Sequence, residues 1–238
     1  MAKRLAFIIP TLNEEHTLPY KLKQFERLNI PHEVIVADGG STDNTIAIAK
    51  AFGAKFVINA GKQTIGSNRN IGAGVATAPI LVFCDADTVF RDITTFCARI
   101  FEEFADKEVV AAMPQISVFP EQRIGSDKVF HYMYNNAIRL SFKTAMPFGS
   151  GQCQIVRRDA FIKSGGYPPD QVHGEDSILF RKLRKFGKLV YLTDCTILES
   201  PRRYRHYGYL KFITISTASL VGQSIIGRNV LKEWKRVG

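Results

Sequence analysis

Cysteine is scarce and scattered. Four occur in 238 residues, Cys84, Cys97, Cys153 and Cys195, and no two form a C-x-x-C pair. A zinc site of that type is therefore not encoded. They read as reduced thiols, with Cys84 inside an apolar strand, which suits a reducing compartment. The first residues are not expected to be a secretory leader either. Five apolar residues, Leu5-Ala-Phe-Ile-Ile9, follow Met1-Ala-Lys-Arg4 and run straight into Pro10. That run is too short for a signal-peptide core and fits a first buried strand. The apolar stretch 212–227 carries no charge, but it has sixteen residues and includes Ser, Thr and Gln. It falls short of the ~20 that a membrane-spanning helix needs. Glycine and proline, 18 and 10, are too few for a collagenous or low-complexity chain. There is no internal repeat and no flexible linker.

The net charge of +10 is uneven. From Arg202 onward there are eight Lys/Arg and one acid, Glu233, so +7 of the +10 lies there and +3 in the preceding 201 residues. A basic surface over the whole molecule, as in many nucleic-acid binders, is not indicated. The basic end calls for its own explanation: an anionic lipid surface, an anionic substrate or solubility.

Apolar runs over 5–9, 33–37, 55–58, 79–84 and 109–113 alternate with helical patterns over 17–28, 44–52, 68–76 and 93–104. Strands separated by helices in this order imply βαβ units and a largely parallel sheet. A second half follows, with helices expected over 130–142, 159–164 and 174–186, and strands over 152–157, 189–192 and 196–198. Ser or Thr in Gly39-Gly-Ser-Thr-Asp43 is placed to cap the second helix, and Gly53 to stop it. Thr11-Leu-Asn13-Glu14, Asp38 and Asp85-Ala-Asp87 all follow strand ends, and ligands of open α/β sheets bind along that edge.

Two carboxylates at i and i+2 after a buried strand, Asp85 and Asp87, can hold a divalent cation such as Mg2+ or Mn2+ together with a phosphate. An acidic turn capping a helix is the alternative for an isolated D-x-D. Asp38 can accept hydrogen bonds from a base or ribose, and its glycines allow close backbone approach; a capped tight turn is the alternative.

Taken in order, Pro10-Thr11-Leu-Asn13-Glu14, Asp38-Gly-Gly-Ser-Thr-Asp43, Asn68-Arg69-Asn70-Ile-Gly72 and Asp85-Ala-Asp87 resemble the nucleotide-sugar half of glycosyltransferase family 2. The likeness is strong over 4–115. It continues more loosely to about residue 205 through Gly165-Gly-Tyr167, Gly174-Glu175-Asp176 and Arg202-Arg203. It implies a GT-A fold: an α/β, Rossmann-like, mostly parallel sheet flanked by helices. On that basis 1–205 form one domain, with a nucleotide-sugar and metal half over 1–115 and an acceptor half over 116–205. Residues 206–238 form a basic amphipathic helical tail.

The resemblance also implies roles. Thr11, Asn13 and Glu14 would form the first donor loop, and Asp38 would meet the nucleobase. Arg69 would lie near base and diphosphate, although a surface helix arginine is its other reading. Asp85 would face ribose and metal, and Asp87 would bind the metal directly. Asp176 would be the general base of an inverting transfer, taking the proton from an acceptor hydroxyl as it attacks C1 of the sugar. Glu175 would orient the acceptor or its loop; first-turn acids complementing a helix dipole are the alternative for the pair. Arg202 and Arg203 would contact the diphosphate, or form a solvated turn. His173 could line the acceptor pocket, and His206 could reach the metal or diphosphate. There is no Q-x-x-R-W, so a processive polymer synthase of that kind is not expected.

We therefore expect a cytoplasmic glycosyltransferase of the hexosyltransferase type. Its donor is a nucleotide-diphosphate sugar, with UDP ahead of GDP, and its acceptor a glycan, lipid or polyprenyl phosphate. The tail would lie on an anionic inner-membrane face, pack on the domain or form a homodimer. Two rivals stand beside this. A sugar-phosphate nucleotidyltransferase would carry a Gly-rich, Arg-containing loop where Thr11-Leu-Asn-Glu-Glu15 stands. A non-catalytic basic protein binding membrane or nucleic acid would not place acids along the sheet edge.

Overall fold

The computed structural model describes residues 4–61 and 64–209, with Lys211 and Thr214 beyond them. The expected amphipathic tail falls almost wholly outside the described residues. The element order is β1 (Leu5–Thr11), α1 (Leu18–Phe25), β2 (His32–Asp38), α2 (Thr45–Ala51), β3 (Lys55–Ile58), α3 (Ile65–Val75), β4 (Ile80–Cys84), β5 (Val89–Phe90), α4 (Ile93–Glu103), β6 (Val109–Val118), α5 (Gly125–Ser141), β7 (Cys153–Arg157), α6 (Arg158–Lys163), α7 (Glu175–Leu183), β8 (Lys188–Glu199) and α8 (Arg202–Tyr207). The strands form one sheet ordered β3-β2-β1-β4-β7-β6-β8-β5.

The first half is parallel, as its βαβ pattern requires: β2 and β4 flank β1, and β3 pairs with β2. β7 then enters antiparallel between β4 and β6, while β6 and β8 run parallel. The carboxyl ends of β1, β2, β4, β6 and β8 thus share one edge with the start of β7. β1 and β4 are buried along their whole length. Apolar clusters cover the sheet on both faces, one around Phe7, Phe25, Phe90 and Phe96, the other around Phe83, Tyr167, Phe180 and Ile138. This is the α/β, mostly parallel GT-A-type sheet flanked by helices.

Several element limits differ from the expected ones for local reasons. Helix α3 starts at Ile65 because Thr64 caps it: Ser67 N donates to Thr64 Oγ1 at 3.1 Å and Thr64 N to Ser67 Oγ at 3.0 Å. Helix α5 starts five residues before the expected 130, because the Asp127 carboxylate takes the N–H of Ile124 at 2.8 Å. Strand β6 runs on to Val118, and its pairing with β8 shifts register at Pro114, which has no N–H to give. The two expected strand pieces over 189–198 are one strand, β8. Neither Ser41 nor Thr42 caps α2; the Asp43 carboxylate accepts from Thr45 N at 3.0 Å instead. Gly53 ends that helix at φ 68°, as expected.

Candidate active site

The candidate cleft lies along the carboxyl edge, where open α/β sheets bind their ligands, and its first wall joins two loops. The β1–β2 register sets Thr11 opposite Asp38. Beyond it, the loop after β1 and the turn after β2 are hydrogen-bonded residue by residue. Asn13 N donates to Ser41 Oγ, and Thr42 N returns a bond to Asn13 Oδ1, both at 2.8 Å. Glu14 N donates to Thr45 Oγ1 at 2.8 Å and Glu15 N to Asp43 Oδ2 at 3.0 Å. Asn13 adopts φ 55°, a left-handed conformation that asparagine tolerates better than most residues and that turns the loop onto its partner.

Asp38 is 1% exposed, and both its oxygens are engaged. Oδ1 accepts from the hydroxyls of Thr11 at 2.9 Å and Ser41 at 2.5 Å. Oδ2 accepts from Gly40 N and Ser41 N, both at 2.8 Å. A carboxylate offers about four acceptor positions, so a base could reach Asp38 only if a hydroxyl turned away. In this structure Asp38 organises its turn.

The second group surrounds Arg69. This arginine is fully buried, not a surface residue of its helix. Glycines let α3 lie close on the sheet: a Cβ on Gly72 would stand 2.5 Å from Ile8 Cγ2. Arg69 Nη2 donates to Asp85 Oδ1 at 2.9 Å and to Gly151 O at 2.8 Å. Nη1 donates to Asp176 Oδ1 at 2.8 Å and Glu175 Oε1 at 3.3 Å. One guanidinium therefore holds three carboxyl groups, one from the turn after β4 and two from α7. Its guanidinium is engaged by protein partners on both terminal nitrogens.

Asp176 Oδ1 also accepts from Gln154 Nε2 at 2.5 Å. Gln154 is fixed in that orientation, because its Oε1 accepts from the Tyr167 hydroxyl and its Nε2 also donates to Ser150 O at 2.8 Å. Both side-chain donors to Asp176 use Oδ1. Gly151 passes close by, and a Cβ there would stand 3.1 Å from Oδ2. Burial pushes the Glu175 carboxyl up, and the Asp176 charge adds to this against the pull of Arg69.

Asp87 lies on the turn after β4, open at the cleft surface yet crowded by protein. Burial, then Asp85 and Glu14, push its carboxyl up to about 6, against a lowering by Arg203. Arg203, one residue into α8, is thus within electrostatic reach of Asp87 and also of His173 and Tyr134. Arg202 is exposed beside it. Burial pushes His173 down, with Asp176 acting oppositely. His206 is exposed, its ring edge-on to Tyr207 with centroids 5.0 Å apart.

Among the described residues no group of three or more His, Cys, Asp or Glu is arranged to hold a metal ion. Asp85 and Asp87 are two hard oxygen donors amid surplus negative charge. They fit a Mg2+ or Mn2+ ion that takes its other ligands from water and phosphate.

Sequence motifs pass over several cleft residues. Tyr134 is pushed up to about 12 by burial; Ser150 hydrogen-bonds it, and the charges of Glu199 and Asp176 reach it. Gln152 Nε2 donates to Glu199 Oε2 at 2.8 Å, and Tyr204 OH to Glu199 Oε1 at 2.9 Å. Two signals would have found some of them. Gln154 is a polar residue inside an apolar strand, and Glu199 is an acid at a strand's carboxyl end, as Asp38 is.

A family model described as Glycosyl transferase family 2 matches residues 6–165. The chain is 27% identical over 222 residues to the succinoglycan biosynthesis protein ExoA of Rhizobium meliloti, covering 85% of this chain and 66% of that one. Among solved structures it is similar to the mannosyltransferase PcManGT of Pyrobaculum calidifontis, in complex with GDP-Man and Mn2+. The TM-score there is 0.72 at 23% identity, with 95% of this chain and 64% of that one covered. Glucosyl-3-phosphoglycerate synthase of Mycobacterium tuberculosis, with Mn2+, UDP and glucosyl-3-phosphoglycerate, gives a TM-score of 0.62 at 18% identity over 94% of this chain and 79% of that one. The chain thus spans just under two thirds of the length of the first two.

Proposed function

Because the chain belongs to glycosyl transferase family 2, we propose that it moves a hexose from a nucleotide-diphosphate sugar to an acceptor hydroxyl or lipid phosphate, with inversion at C1. The observation that carries this reading is the sharing of Arg69 by Asp85 and Asp176. It ties the acid turn of the donor side to the acid of the acceptor side across a single guanidinium.

In this reading Thr11, Asn13 and Glu14 form the donor loop, with Asp38 holding its shape. Asp85 and Asp87 hold the Mg2+ or Mn2+ ion. When bound, the ion offsets charge on the departing diphosphate. Arg203 adds a positive charge within electrostatic reach of Asp87 and Arg202 extends it, since guanidinium pairs well with phosphate oxygens. Asp176 takes the acceptor proton through Oδ2, because Oδ1 is held by Arg69 and Gln154. Those two residues position the base. Glu175, beside it, and His173 shape the acceptor side. A single displacement needs no covalent nucleophile.

UDP is our first choice of donor base. GDP is the alternative; of the two solved structures described above, one holds GDP-Man and the other UDP. The test is a panel of UDP- and GDP-sugars with Mn2+ or Mg2+, read by thermal shift and by slow donor hydrolysis. One base should stabilise the protein in a metal-dependent way, and Asp87→Ala should abolish that response without unfolding the chain. Metal alone should give little shift, since two carboxylates make an incomplete site. No response to any donor would sink the reading and revive a non-catalytic binding role.

A further inference from the structure

Helix α5 has two apolar sides where one would suffice. Its inner side buries Phe130, His131, Ile138 and Ser141 against the domain. Its outer side carries Val129, Tyr132, Met133 and Leu140, which are 61%, 72%, 62% and 56% exposed. Val129, Met133 and Leu140 follow at helical spacing, four and then seven residues apart, so they line up along a helix ~25 Å long. The stripe continues past both helix ends, to Ile124 at 52% and Met146 at 50% exposed. Exposed apolar surface gathered this way, unlike scattered single residues, marks an interaction site.

The charges beside it favour one kind of partner. Lys128 and Arg139 are exposed along one border of the stripe, and Lys143 follows at its end. The one acid between Ile124 and Met146 is Asp127, which is buried and accepts from Arg205 at 2.5 Å. A second copy laid on this face would bring lysines and arginine against the same cations. An anionic lipid surface complements them. A stripe of Tyr, Met, Leu and Val with a basic border is the composition of a helix lying in the plane of a bilayer. Crossing the bilayer is not the alternative, since no helix among the described residues is long and apolar enough.

We propose that the outer face of α5 seats the protein on an anionic membrane surface. The inner side of the same helix carries Tyr134, which stands by Ser150 and the charges of Glu199 and Asp176. Seating α5 therefore brings the acceptor end of the cleft beside the lipid headgroups. The observation is independent of the basic residues after 209 and of the sugar-transfer reading.

Vesicle co-sedimentation of the full chain tests it, using phosphatidylcholine vesicles with and without phosphatidylglycerol. The native chain should bind the anionic vesicles alone. Val129→Ser/Met133→Ser/Leu140→Ser should lower that affinity by about tenfold or more, since binding scales with buried apolar area. Lys128→Glu/Arg139→Glu should lower it comparably, because each cation near such a surface contributes. Both variants change exposed side chains, so thermal melting and donor-induced stabilisation should match the native chain. Undiminished binding by the serine variant would assign the contact to residues beyond 209 and overturn the proposal. No binding by the native chain would overturn it too, as would a native dimer that the serine variant converts to monomer. A lost donor response with intact vesicle binding would count against the transfer reading alone.

Discussion

Asp38 ends β2 and Asp85 follows β4, the two neighbours of β1, and each closes a buried apolar run. They are held by different means. Asp38 takes its four hydrogen bonds from Thr11, Gly40 and Ser41, neutral donors of which two residues belong to its own turn. Asp85 takes an ionic one from Arg69, which also reaches Glu175 and Asp176 about a hundred residues further on. The first acid is fixed by local geometry, and its surroundings need only a rigid turn. The second is fixed by a buried cation whose removal would leave three acids without a counter-charge. Rigidity at the Asp38 turn is therefore local, whereas rigidity around Asp85 and Asp176 depends on the whole domain being folded.

Changing Asp176 should have the largest effect on this contrast. Asp176→Asn keeps the size and much of the hydrogen bonding but removes the proton acceptor. Transfer should fall by roughly 10²–10⁴-fold, the usual worth of a positioned base, while donor binding by calorimetry stays near native. A variant that transfers at the native rate would move attention to His173. Next comes Arg69→Met. Removing one partner from a buried ionic cluster costs about 3–5 kcal/mol, which urea denaturation would read. A melting curve like the native one would mean that the three acids do not depend on Arg69.

Asp38→Asn should be mild by comparison. The asparagine oxygen can keep facing Gly40 N and Ser41 N, and its amide can donate to Thr11 and Ser41 hydroxyls that reverse their roles. We expect a loss of no more than about 1 kcal/mol. A larger loss would show that the negative charge itself holds the turn. A separate effect is in the pH dependence of Glu175. Its carboxyl is raised in the folded protein, so it keeps its proton above the pH at which the unfolded chain releases it. Its contribution is then present below the ordinary glutamate pKa of 4.5 and is lost as pH rises through the folded value. Glu175→Gln should flatten that decline in thermal melts between about pH 5 and 9. An unchanged slope would place the titration elsewhere.

The same contrast explains what the sequence could disclose. Thr11, Asn13, Asp38, Asp85 and Asp87 are legible because each chemistry-bearing group lies in a short segment after an apolar strand. The alternation of strand and helix gives the parallel half of the sheet for the same reason. Arg69 can also be read as a surface helix residue until its three carboxyl groups arrive from the turn after β4 and from α7, and nothing local excludes that reading. Tyr134 and Gln152 carry no motif, because their placement depends on β7 entering between β4 and β6. The short β5 escapes a periodicity reading, since Val89-Phe90 spans one alternation at most. Thr64-x-x-Ser67 caps α3 with a serine where glutamate or glutamine is the usual signal.

The antiparallel β7 also bears on the order in which the molecule assembles. β1 to β4 pair among themselves within the first 84 residues, so that parallel half can form from comparatively near neighbours. β4 then waits for β7, which pairs Cys84 with Cys153 and Ile80 with Arg157. Contacts this distant in the chain form slowly, because the loop must close before they return any energy. Until they form, Asp85 can face Arg69 without the other two acids, and the future cleft is a half-sheet with an unpaired edge. A chain synthesised only this far has no β7 to cover β4, and an open strand edge of that kind is a surface on which one nascent copy could pair wrongly with another.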